Sequence, residues 1–566
     1  MRPRFLLLLC CPALGCGSAG PEPWTGPVMT EPRSSLTVDQ LRDGQMPPLL
    51  DMSFLSEPAW ASADPEPLAA TLVLDSAPMW MDFPTSRPLY DGEDRFPSVR
   101  LDVVSEQGRL VVSAQTEPSD SLWRVLPGTG AVWRESGDDG WSRASFPLDL
   151  AEDYFNQVRN CVATFVYQGE RVSRTYVQCS QETADLDDDQ LGNLAAWVDT
   201  AVAPLDAARS EALVASWEQA ASAHLTTRPL ADLDGSEALA AVFDEDRLTA
   251  ASTSVGAVLD GDVVYVHPAR TRHGLHPYPD AMHHGVYSVS KSLLGTVSLL
   301  YLAQQYGDDV FDERIVDHVP GLVGAAGWNG VTFGHALNMV TGTQGGEAAS
   351  QLYEPLVLAG SVDEAISNIA ALGDAPEEPG TAFRYASTNT FVLSVAMDNL
   401  VQSREGEGVH YLDRLRADVL EPIGAGDLDV LLTRDPVATD RVPLLGFGVR
   451  PTLDEAAKLA RLLAREGEHD GRQLLSRERT REALGRTGWD GHRIDGRHRY
   501  RHGLWSRTLR AGGCRSEAVF MQGHGSNHVV FLESGLVVFR FTDEQPDDLP
   551  ALVAGAESIR TACPPD

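Results

Sequence analysis

Lysine is almost absent from this chain of 566 residues. Of its 45 basic residues only Lys291 and Lys458 are lysine, so 43 are arginine and a lysine inside a motif is informative. Positive charge is scarce as a whole, because 81 acidic residues leave a net charge of −36, and this balance argues against a nucleic-acid-binding protein. No internal segment offers the roughly 20 apolar residues that cross a bilayer, which excludes a protein with several membrane spans.

Cysteine is also scarce, and none of the seven cysteines forms a Cys-x-x-Cys pair of the kind found in zinc ribbons and thioredoxins. Three lie within the first 16 residues, which leaves four, an even number that suits disulfides in an exported protein. Cys161 and Cys179 flank two alternating runs around a turn at 168–170, so a hairpin would bring them close, and Cys514 would then pair with Cys563 by exclusion. Four cysteines allow three connectivities, and free buried thiols are the alternative.

Residues 1–15 have the features of an export signal: a short positive stretch followed by a short apolar one. Ala13 to Cys16 resemble a bacterial lipobox, except that Ala13 replaces the usual leucine, so we expect lipid attachment at Cys16. Ordinary signal-peptidase cleavage is the alternative. Pro, Gly and Ser dominate residues 16–65, which is typical of a tether that holds a folded part away from a membrane. These features predict an exported bacterial lipoprotein of the cell envelope.

Between residues 66 and 185, short alternating stretches are separated by Gly, Pro and Asp clusters, a pattern typical of β-strands. We predict a separate β-rich domain there, a sandwich or barrel, in which no motif indicates a ligand. Residues 186–229 have apolar positions at helical spacing and are predicted to form a helical linker or the first helix of the next domain.

The last part of the chain, residues 230–566, combines strand and helix patterns. Its clearest elements are two strands around a tight turn at 254–266, helices at 291–306 and 453–465, and strands at 517–522 and 528–542. An opening hairpin, a block of helices and closing strands predict an α+β fold in which an antiparallel sheet carries a helical layer.

Four histidines crowd the loop before residue 288, namely His273, His276, His283 and His284. Their spacing matches no metal-ligand set, and two prolines make the loop irregular. We therefore expect no metal and no other cofactor.

Ser288 and Lys291 are the residues that indicate chemistry. They stand three positions apart at the start of an apolar helix, so they share one helical face, and the first turn favours a developing negative charge. A lysine that has lost its proton can act as a general base, whereas arginine cannot lose its proton. In a chain that otherwise uses arginine, this pair favours a nucleophile beside a base; a solvated lysine at a helix start is the alternative.

This Ser-x-x-Lys pattern resembles the motif of the serine β-lactamase-like, penicillin-binding-protein-type family, where it opens a buried helix. Further segments are similar to that family in the same order, at 308–320, 328–342, 453–463 and 471–476. The resemblance covers roughly residues 230–545. It implies the fold of that family, with Ser288 as nucleophile and Lys291 as base.

The second motif of the family, Tyr-x-Asn, has its counterpart in Tyr385 and Ser387, with serine in the asparagine position. This variant resembles the 6-aminohexanoate-dimer hydrolase branch and related esterases more than penicillin-recognising enzymes. The resemblance implies that Tyr385 hydrogen-bonds Ser288 and Lys291 and relays protons to the leaving group, while Ser387 faces the substrate. A tyrosine buried for packing is the alternative.

The third motif, Lys/His-x-Gly on an edge strand, is matched by His524, Gly525 and Ser526. A neutral histidine binds a penicillin carboxylate more weakly than lysine does, and the Cβ of Ser526 limits close backbone approach. The backbone N–H of Ser288 and one near Asn527 are expected to form the oxyanion hole. A purely structural His524 is the alternative.

These residues together predict an exported serine hydrolase that acts on esters or short amides through an acyl-enzyme. A D-alanyl-D-alanine carboxypeptidase or a β-lactamase is the alternative within the enzyme class. A catalytically silent protein of the same fold, which holds cell-envelope material through its β-rich domain, is the alternative from another class. The expected partners are a small ester, amide or peptide substrate and, through the lipid anchor only, a membrane.

Overall fold

The structure is a computed structural model that describes residues 28–29, 37–44, 49–58, 61, 64–82, 89–115, 120–183, 192–244, 253–433, 442–511, 514–542 and 549–561. The predicted signal peptide at 1–15, the lipid attachment at Cys16 and the cysteine Cys563 lie outside these residues. In the described part of the chain, every helix is too short or too polar to span a lipid bilayer.

The second half of the predicted tether is folded, so the prediction of a tether reaching residue 65 is wrong. Strand β1 (Val28–Met29) pairs in parallel with β2 (Leu49–Leu50), and helix α1 (Val38–Asp43) lies between them in the chain. Apolar side chains of this segment are buried against the N-terminal sheet, namely Val38, Leu41, Leu49, Leu50, Met52 and Leu55. Burial of these side chains stabilises the docked segment, which composition alone did not reveal.

The N-terminal part is a twelve-stranded antiparallel sheet. The strands from residue 69 to 204 are β3 (Ala69–Leu74), β4 (Ala77–Pro78), β5 (Trp80–Met81), β6 (Arg95–Phe96), β7 (Val99–Glu106), β8 (Arg109–Gln115), β9 (Trp123–Pro127), β10 (Gly130–Trp133), β11 (Ser142–Glu152), β12 (Val158–Gln168), β13 (Arg171–Val172), β14 (Thr175–Glu182), β15 (Leu194–Val198) and β16 (Thr200–Pro204). All belong to this sheet except β4 and β6, which pair with each other. The β-rich prediction for this region is confirmed.

The helical prediction for residues 186–229 is wrong over its first half. Strands β15 and β16 occupy residues 194–204, and of the described residues in this stretch only α2 (Ala207–Ser222) is helical. Strand β15 pairs with β14, whereas β16 pairs with β3 at the opposite end of the strand order. Because the two strands are consecutive in the chain, they connect the two ends of the strand order. Long-range pairing of this kind overrides local helical spacing.

The predicted hairpin and its disulfide are confirmed. Strands β12 and β14 pair antiparallel with Cys161 opposite Cys179, and the two sulfurs are bonded. The disulfide lies in the buried core of the N-terminal sheet. Cys514 is also disulfide-bonded; its predicted partner Cys563 lies outside the described residues, so that pairing stays a prediction.

The C-terminal part is built on a nine-stranded sheet whose order is β17-β19-β18-β31-β30-β29-β28-β27-β26. Only the pair of β17 with β19 is parallel. The strands of this part are β17 (Thr226–Pro229), β18 (Thr253–Asp260), β19 (Val263–Val266), β20 (Arg270–Thr271), β21 (Gly274–Leu275), β22 (Asp429–Val430), β23 (Val449–Arg450), β24 (Glu468–His469), β25 (Arg472–Gln473), β26 (His492–Arg493), β27 (His498–Arg501), β28 (Leu504–Ala511), β29 (Cys514–Gly523), β30 (Asn527–Phe531) and β31 (Val537–Thr542). The predicted α+β fold with an antiparallel sheet is confirmed.

Helices cover both faces of this sheet. They are α3 (Glu237–Phe243), α4 (Val297–Tyr306), α5 (Ile315–His318), α6 (Phe333–Leu337), α7 (Val362–Ala370), α8 (Ser387–Glu405), α9 (Tyr411–Leu415), α10 (Leu453–Ala464), α11 (Arg477–Ala483) and α12 (Leu549–Ile559). Successive strand residues point to opposite faces, so Ala257 joins the large core that contains α4 and α8, whereas Val258 joins the smaller one with α3 and α12. The sheet is therefore the middle layer, and the helical layer with α4 and α8 holds the site.

Candidate active site

Ser288 lies in a turn immediately before the first helical residues of the C-terminal core. The preceding residue, Tyr287, has a left-handed backbone with φ +46°, which is unusual for a residue with a side chain. A π-helical segment (Lys291–Thr296) follows and leads into α4. Ser288 is half-buried, whereas the side chain of Lys291 is only 1% exposed. Ser288, the candidate nucleophile, is thus accessible to solvent, whereas Lys291 is not.

The Lys291 ammonium group is fully engaged. Its Nζ donates to Ser288 Oγ at 2.7 Å, to Ser387 Oγ at 2.8 Å and to the carbonyl oxygen of Gly446 at 2.8 Å. An ammonium has three protons, so these three acceptors satisfy it. The structure therefore brings together Ser288, Lys291 and Ser387 of the predicted site.

Ser387 connects Lys291 to a carboxylate that the sequence analysis did not find. The Ser387 hydroxyl donates to Glu347 Oε2 at 2.9 Å, and the Ser387 backbone N–H donates to Oε1 at 2.5 Å. Ser387 is the first residue of α8, so its N–H is one that the helix itself leaves without a partner. Glu347 thereby fixes the start of α8 and ends a chain of hydrogen bonds that begins at Ser288.

Tyr385 contacts Lys291 in another way than predicted. Nζ lies 4.7 Å from the centre of the Tyr385 ring, and its three protons are directed to other acceptors. Within the described residues, the Tyr385 hydroxyl makes no hydrogen bond to Ser288 or Lys291. The ring packs beside Trp505 at 5.6 Å and Tyr500 at 6.5 Å between ring centres. Here Tyr385 forms an aromatic wall beside a cation.

The third motif lies at the end of a central strand, not on an edge strand as predicted. Strand β29 runs between β28 and β30 and ends at Gly523, directly before His524. A Cβ at Gly523 would lie 2.1 Å from the carbonyl oxygen of Val286 and 3.2 Å from the backbone nitrogen of Ser288. Only glycine therefore allows this strand end to approach Ser288 so closely.

His524, Gly525 and Ser526 form a tight turn after that strand. The His524 ring is half-buried and lies 5.2 Å from the ring of Tyr287, edge to face. Gly525 and Ser526 both have left-handed backbones, with φ +77° and +59°. His524 therefore borders the nucleophile turn through Tyr287.

Asn527 is predicted to contact substrate through a backbone N–H near it, and its side chain has a structural role. Asn527 is buried; its Nδ2 donates to the carbonyl oxygen of His524 at 2.6 Å and its Oδ1 accepts from the N–H of Thr542 at 3.1 Å. These bonds use the amide to fix the turn at 524–526 to β31.

Of the two predicted oxyanion-hole donors, the Ser288 N–H is better defined. No acceptor for it is found among the described residues, and the end of β29 passes beside it. The second donor, a backbone N–H near Asn527, stays a prediction. An N–H without a partner beside a nucleophile is suited to a developing oxyanion.

Burial shifts the pKa values of several titratable groups around the site. Burial, with Tyr385 and Glu347 nearby, raises the pKa of Tyr500 well above its ordinary value, so this wall residue stays neutral. Burial lowers the pKa of His276 to about 4 and that of His284 to about 3. For His283 burial acts in the same sense, but the hydrogen bond and charge of Asp149 outweigh it and raise the pKa. Across the described ranges no group of three His, Cys, Asp or Glu side chains is placed to hold a metal ion.

Two residues around Lys291 were missed by sequence reasoning. Glu347 lies in a loop after α6, and no spacing relates it to Ser387, which is 40 residues further along. Gly446 contributes a backbone carbonyl, which any residue type provides, so no sequence signal marks it. The only hint was the position of Glu347 soon after the segment 328–342 that resembles the family.

The comparisons with known proteins concern the C-terminal part. The family model described as Beta-lactamase matches residues 239–557, more than half of the chain. A search of curated protein sequences finds no match.

Solved structures that the chain resembles include hydrolases of this type. One is a family VIII carboxylesterase, at 16% identity and a TM-score of 0.45 over 60% of this chain and 99% of that one. Another is a class C β-lactamase, at 14% identity and a TM-score of 0.42, over 59% of this chain and 96% of that one. A Bacillus anthracis protein assigned to the 6-aminohexanoate-dimer hydrolases has 15% identity and a TM-score of 0.41, over 57% of this chain and 80% of that one.

The extent of the family match, together with the antiparallel sheet between helical layers, decides the classification. The chain belongs to the β-lactamase family and has the serine hydrolase fold of that family.

Proposed function

We propose that this protein is an exported serine hydrolase that cleaves esters or short amides through an acyl-enzyme on Ser288. The observation that carries the proposal is the 2.7 Å hydrogen bond between Ser288 Oγ and Nζ of the buried Lys291. A nucleophile activated by an adjacent base is the arrangement that covalent catalysis requires.

Lys291 must release a proton before it can act as a base, because its three protons already point at three acceptors. The route is through Ser387: Lys291 passes a proton to the Ser387 oxygen while Ser387 passes its own proton to Glu347. Rotation about the Cε–Nζ bond then turns the free electron pair of Nζ from Ser387 towards Ser288.

Acylation follows in two balanced steps. The Ser288 oxygen bonds to the carbonyl carbon while its proton moves to Nζ, and the N–H of Ser288 stabilises the negative carbonyl oxygen. The bond to the leaving group then breaks, and the leaving group takes that proton from Nζ. Water releases the acid by the same sequence in reverse, and no metal or organic cofactor takes part.

Esters and short amides are favoured over penicillins because no lysine is available to bind a penicillin carboxylate. The only lysine besides Lys291 is Lys458, which is buried and lies 2.5 Å from Asp454. No lysine is thus left to bind a penicillin carboxylate, and His524 occupies that motif position. The aromatic wall beside Lys291 is suited to an apolar acyl or alcohol group.

Export and lipid attachment at Cys16 rest on the N-terminal sequence alone. Metabolic labelling of the bacterium with an alkyne fatty acid tests them: wild type is expected to be labelled and Cys16→Ser is not. Label that persists in the variant would contradict attachment at Cys16.

Labelling with a fluorescent fluorophosphonate and with a fluorescent penicillin, side by side, tests the activity. We expect the fluorophosphonate to label wild type and not Ser288→Ala, and the penicillin to label weakly. Strong penicillin labelling favours the β-lactamase or carboxypeptidase alternative. No labelling by either probe on folded protein favours the silent binding protein.

A further inference from the structure

The N-terminal sheet holds the backbone segment that ends at Ser288. Four buried polar side chains of the sheet and its connections bind this segment. Asp149 accepts from the N–H of His283 at 2.7 Å, and Asn160 donates to the carbonyl oxygen of His283 at 2.8 Å. Thr183 accepts from the N–H of Gly285 at 2.7 Å, and Asn156 accepts from the N–H of Tyr287 at 2.5 Å. None of these four side chains lies within the residues that match the family model.

Of these four side chains, Asn156 binds the residue nearest to Ser288 in the chain. Its Oδ1 accepts from Tyr287, the residue before Ser288, while its Nδ2 donates to the carbonyl oxygen of Val449 at 3.1 Å. The N–H of Val449 in turn donates to Ser290 Oγ at 3.0 Å. One fully buried amide thus ties together the two backbone segments on either side of the Ser288–Lys291 pair.

The Tyr287 contact constrains a strained residue. Tyr287 has φ +46°, and a left-handed backbone at a bulky residue persists only where the surroundings impose it. Gly285, two residues earlier, is so close to the N-terminal part that a Cβ there would lie 1.7 Å from the carbonyl oxygen of Asn156. The backbone conformation of the turn before Ser288 is therefore imposed by contacts with the N-terminal part of the chain.

The turn that contains Asn156 is in turn bound to the C-terminal part. Arg450 is fully buried; it donates to the carbonyl oxygen of Phe155 at 2.8 Å and pairs with Asp429 at 3.0 Å. Asp429 also pairs with Arg124 of the N-terminal sheet at 2.8 Å. The Phe155 ring lies 5.7 Å from that of Phe447, one residue after Gly446. The turn between β11 and β12 is thus fixed beside the carbonyl oxygen that binds Lys291.

We propose that the N-terminal sheet is a positioning element of the active site and that Asn156 is its principal positioning residue. The inference rests on the proposed serine hydrolase function. It gives the sheet a role in acylation, as distinct from binding a separate ligand. A displacement of about 1 Å in reacting groups can cost about 10²-fold in rate, so loss of the Asn156 amide is expected to slow acylation on that scale.

The experiment compares Asn156→Ala with Gln178→Ala in the full-length chain. Gln178 is a matched control because it is also a fully buried amide of the sheet that binds two backbone groups, the N–H and the carbonyl oxygen of Leu50, both at 2.7 Å. Its partners lie in the N-terminal segment and on β14, and none lies in the nucleophile turn. Melting temperature and the rate of fluorophosphonate labelling are measured for both variants, well below the melting transition.

Both variants are expected to lower the melting temperature, but only Asn156→Ala is expected to slow labelling, by about 10²-fold. Equal slowing in both, or unchanged labelling in Asn156→Ala, would overturn the proposal. If wild type itself is not labelled, the proposed function fails and not this inference alone.

Asn156→Asp separates positioning from stability. The carboxylate keeps the acceptor for Tyr287 but loses the donor to Val449, and protonation restores a donor of the same shape. We expect its labelling rate relative to wild type to rise as the pH is lowered. A ratio that does not depend on pH would contradict the role of the Val449 contact.

Discussion

The Ser387 hydroxyl donates a hydrogen bond to one oxygen of the Glu347 carboxylate at 2.9 Å, and the Ser387 N–H donates to the other at 2.5 Å. The same hydroxyl accepts from Nζ of Lys291. Because a hydroxyl has a single proton, its donation to Glu347 fixes the direction of the chain: lysine to serine to carboxylate. Glu347 is therefore placed to receive the proton that Lys291 must lose.

Replacement of this carboxylate tests the route. Glu347→Gln keeps an acceptor for Ser387 but cannot take up a proton, so acylation is expected to slow by about 10²-fold, the lower end of the range for general acid–base assistance. Stopped-flow acylation by a nitrophenyl ester measures the rate.

Glu364→Gln is the matched control for Glu347→Gln. Glu364 is an exposed carboxylate that also accepts a backbone N–H, that of Gly360 at 2.9 Å, and it makes no contact with Lys291. Its replacement is expected to leave the rate unchanged. If the two glutamine variants acylate equally fast, Glu347 is not the proton acceptor.

Lys291→Arg is expected to be nearly inactive although it keeps the positive charge. A guanidinium cannot lose its proton at neutral pH, and general-base assistance is worth roughly 10²–10⁴-fold. Lys458→Arg is the matched control, because Lys458 is the other lysine, is equally buried and binds Asp454 and the carbonyl oxygen of Gly424. Retention of more than about a tenth of the wild-type acylation rate by folded Lys291→Arg, against that range, would remove Lys291 as the base.

Loss of the Cys161–Cys179 disulfide is expected to destabilise the N-terminal sheet. The two cysteines are 18 residues apart, and a disulfide that closes a loop of this size is typically worth about 2–4 kcal/mol. Chemical denaturation of the Cys161→Ala, Cys179→Ala double variant measures the loss in the free energy of unfolding.

Non-reduced peptide mapping is expected to recover the Cys161–Cys179 pair and the pair of Cys514 with Cys563. A peptide linking Cys161 to Cys514 would refute both pairings.

Acidification is expected to destabilise the fold through two buried histidines. His276 and His284 have pKa values lowered by burial to about 4 and about 3, so below pH 6.5 the unfolded chain binds protons that the folded chain does not. Stability therefore falls as the pH drops from 6.5 to the lowered pKa of each histidine, by about 1.4 kcal/mol per pH unit for each of them. The raised pKa of His283 acts in the opposite sense, since its contribution is present at low pH and is lost as the pH rises through the raised value.

His284→Phe isolates one of these contributions. The His284 ring packs against Phe541 with ring centres 4.9 Å apart, and its Nε2 finds no hydrogen-bond partner in the described part of the chain, so phenylalanine fits the site. Between pH 6.5 and the lowered pKa of His284, about 3, the variant is expected to lose about 1.4 kcal/mol less than wild type for each pH unit, measured by urea unfolding. Parallel losses in the two proteins would show that His284 is not responsible.

The sequence predicted the elements whose pattern is local. Ser288 and Lys291 share one helical face, so their contact follows from spacing, and the helix at 453–465 is confirmed as α10, where Thr452 and Glu455 form a capping box. Cys161 and Cys179 flank one hairpin, so their pairing also follows from local spacing.

The elements that the sequence did not predict depend on distant partners. Strands β15 and β16 are separated by one residue but pair with opposite ends of the sheet order, which helical spacing could not indicate. Asn156 and Tyr287 are 131 residues apart and meet only through a side chain and a backbone N–H. The sequence predicts Ser387 as a substrate contact, whereas its hydrogen bond to Glu347 joins residues 40 apart and depends on the fold.

Mass spectrometry of the acyl-enzyme tests Ser288 as nucleophile most directly. Wild type and Ser288→Ala are quenched with acid during turnover of a short-chain nitrophenyl ester, and the intact protein and its peptides are weighed. We predict that wild type gains the mass of one acyl group on the peptide containing Ser288 and that Ser288→Ala gains none. An acyl group on another residue, or an equal gain in Ser288→Ala, would contradict the proposed mechanism.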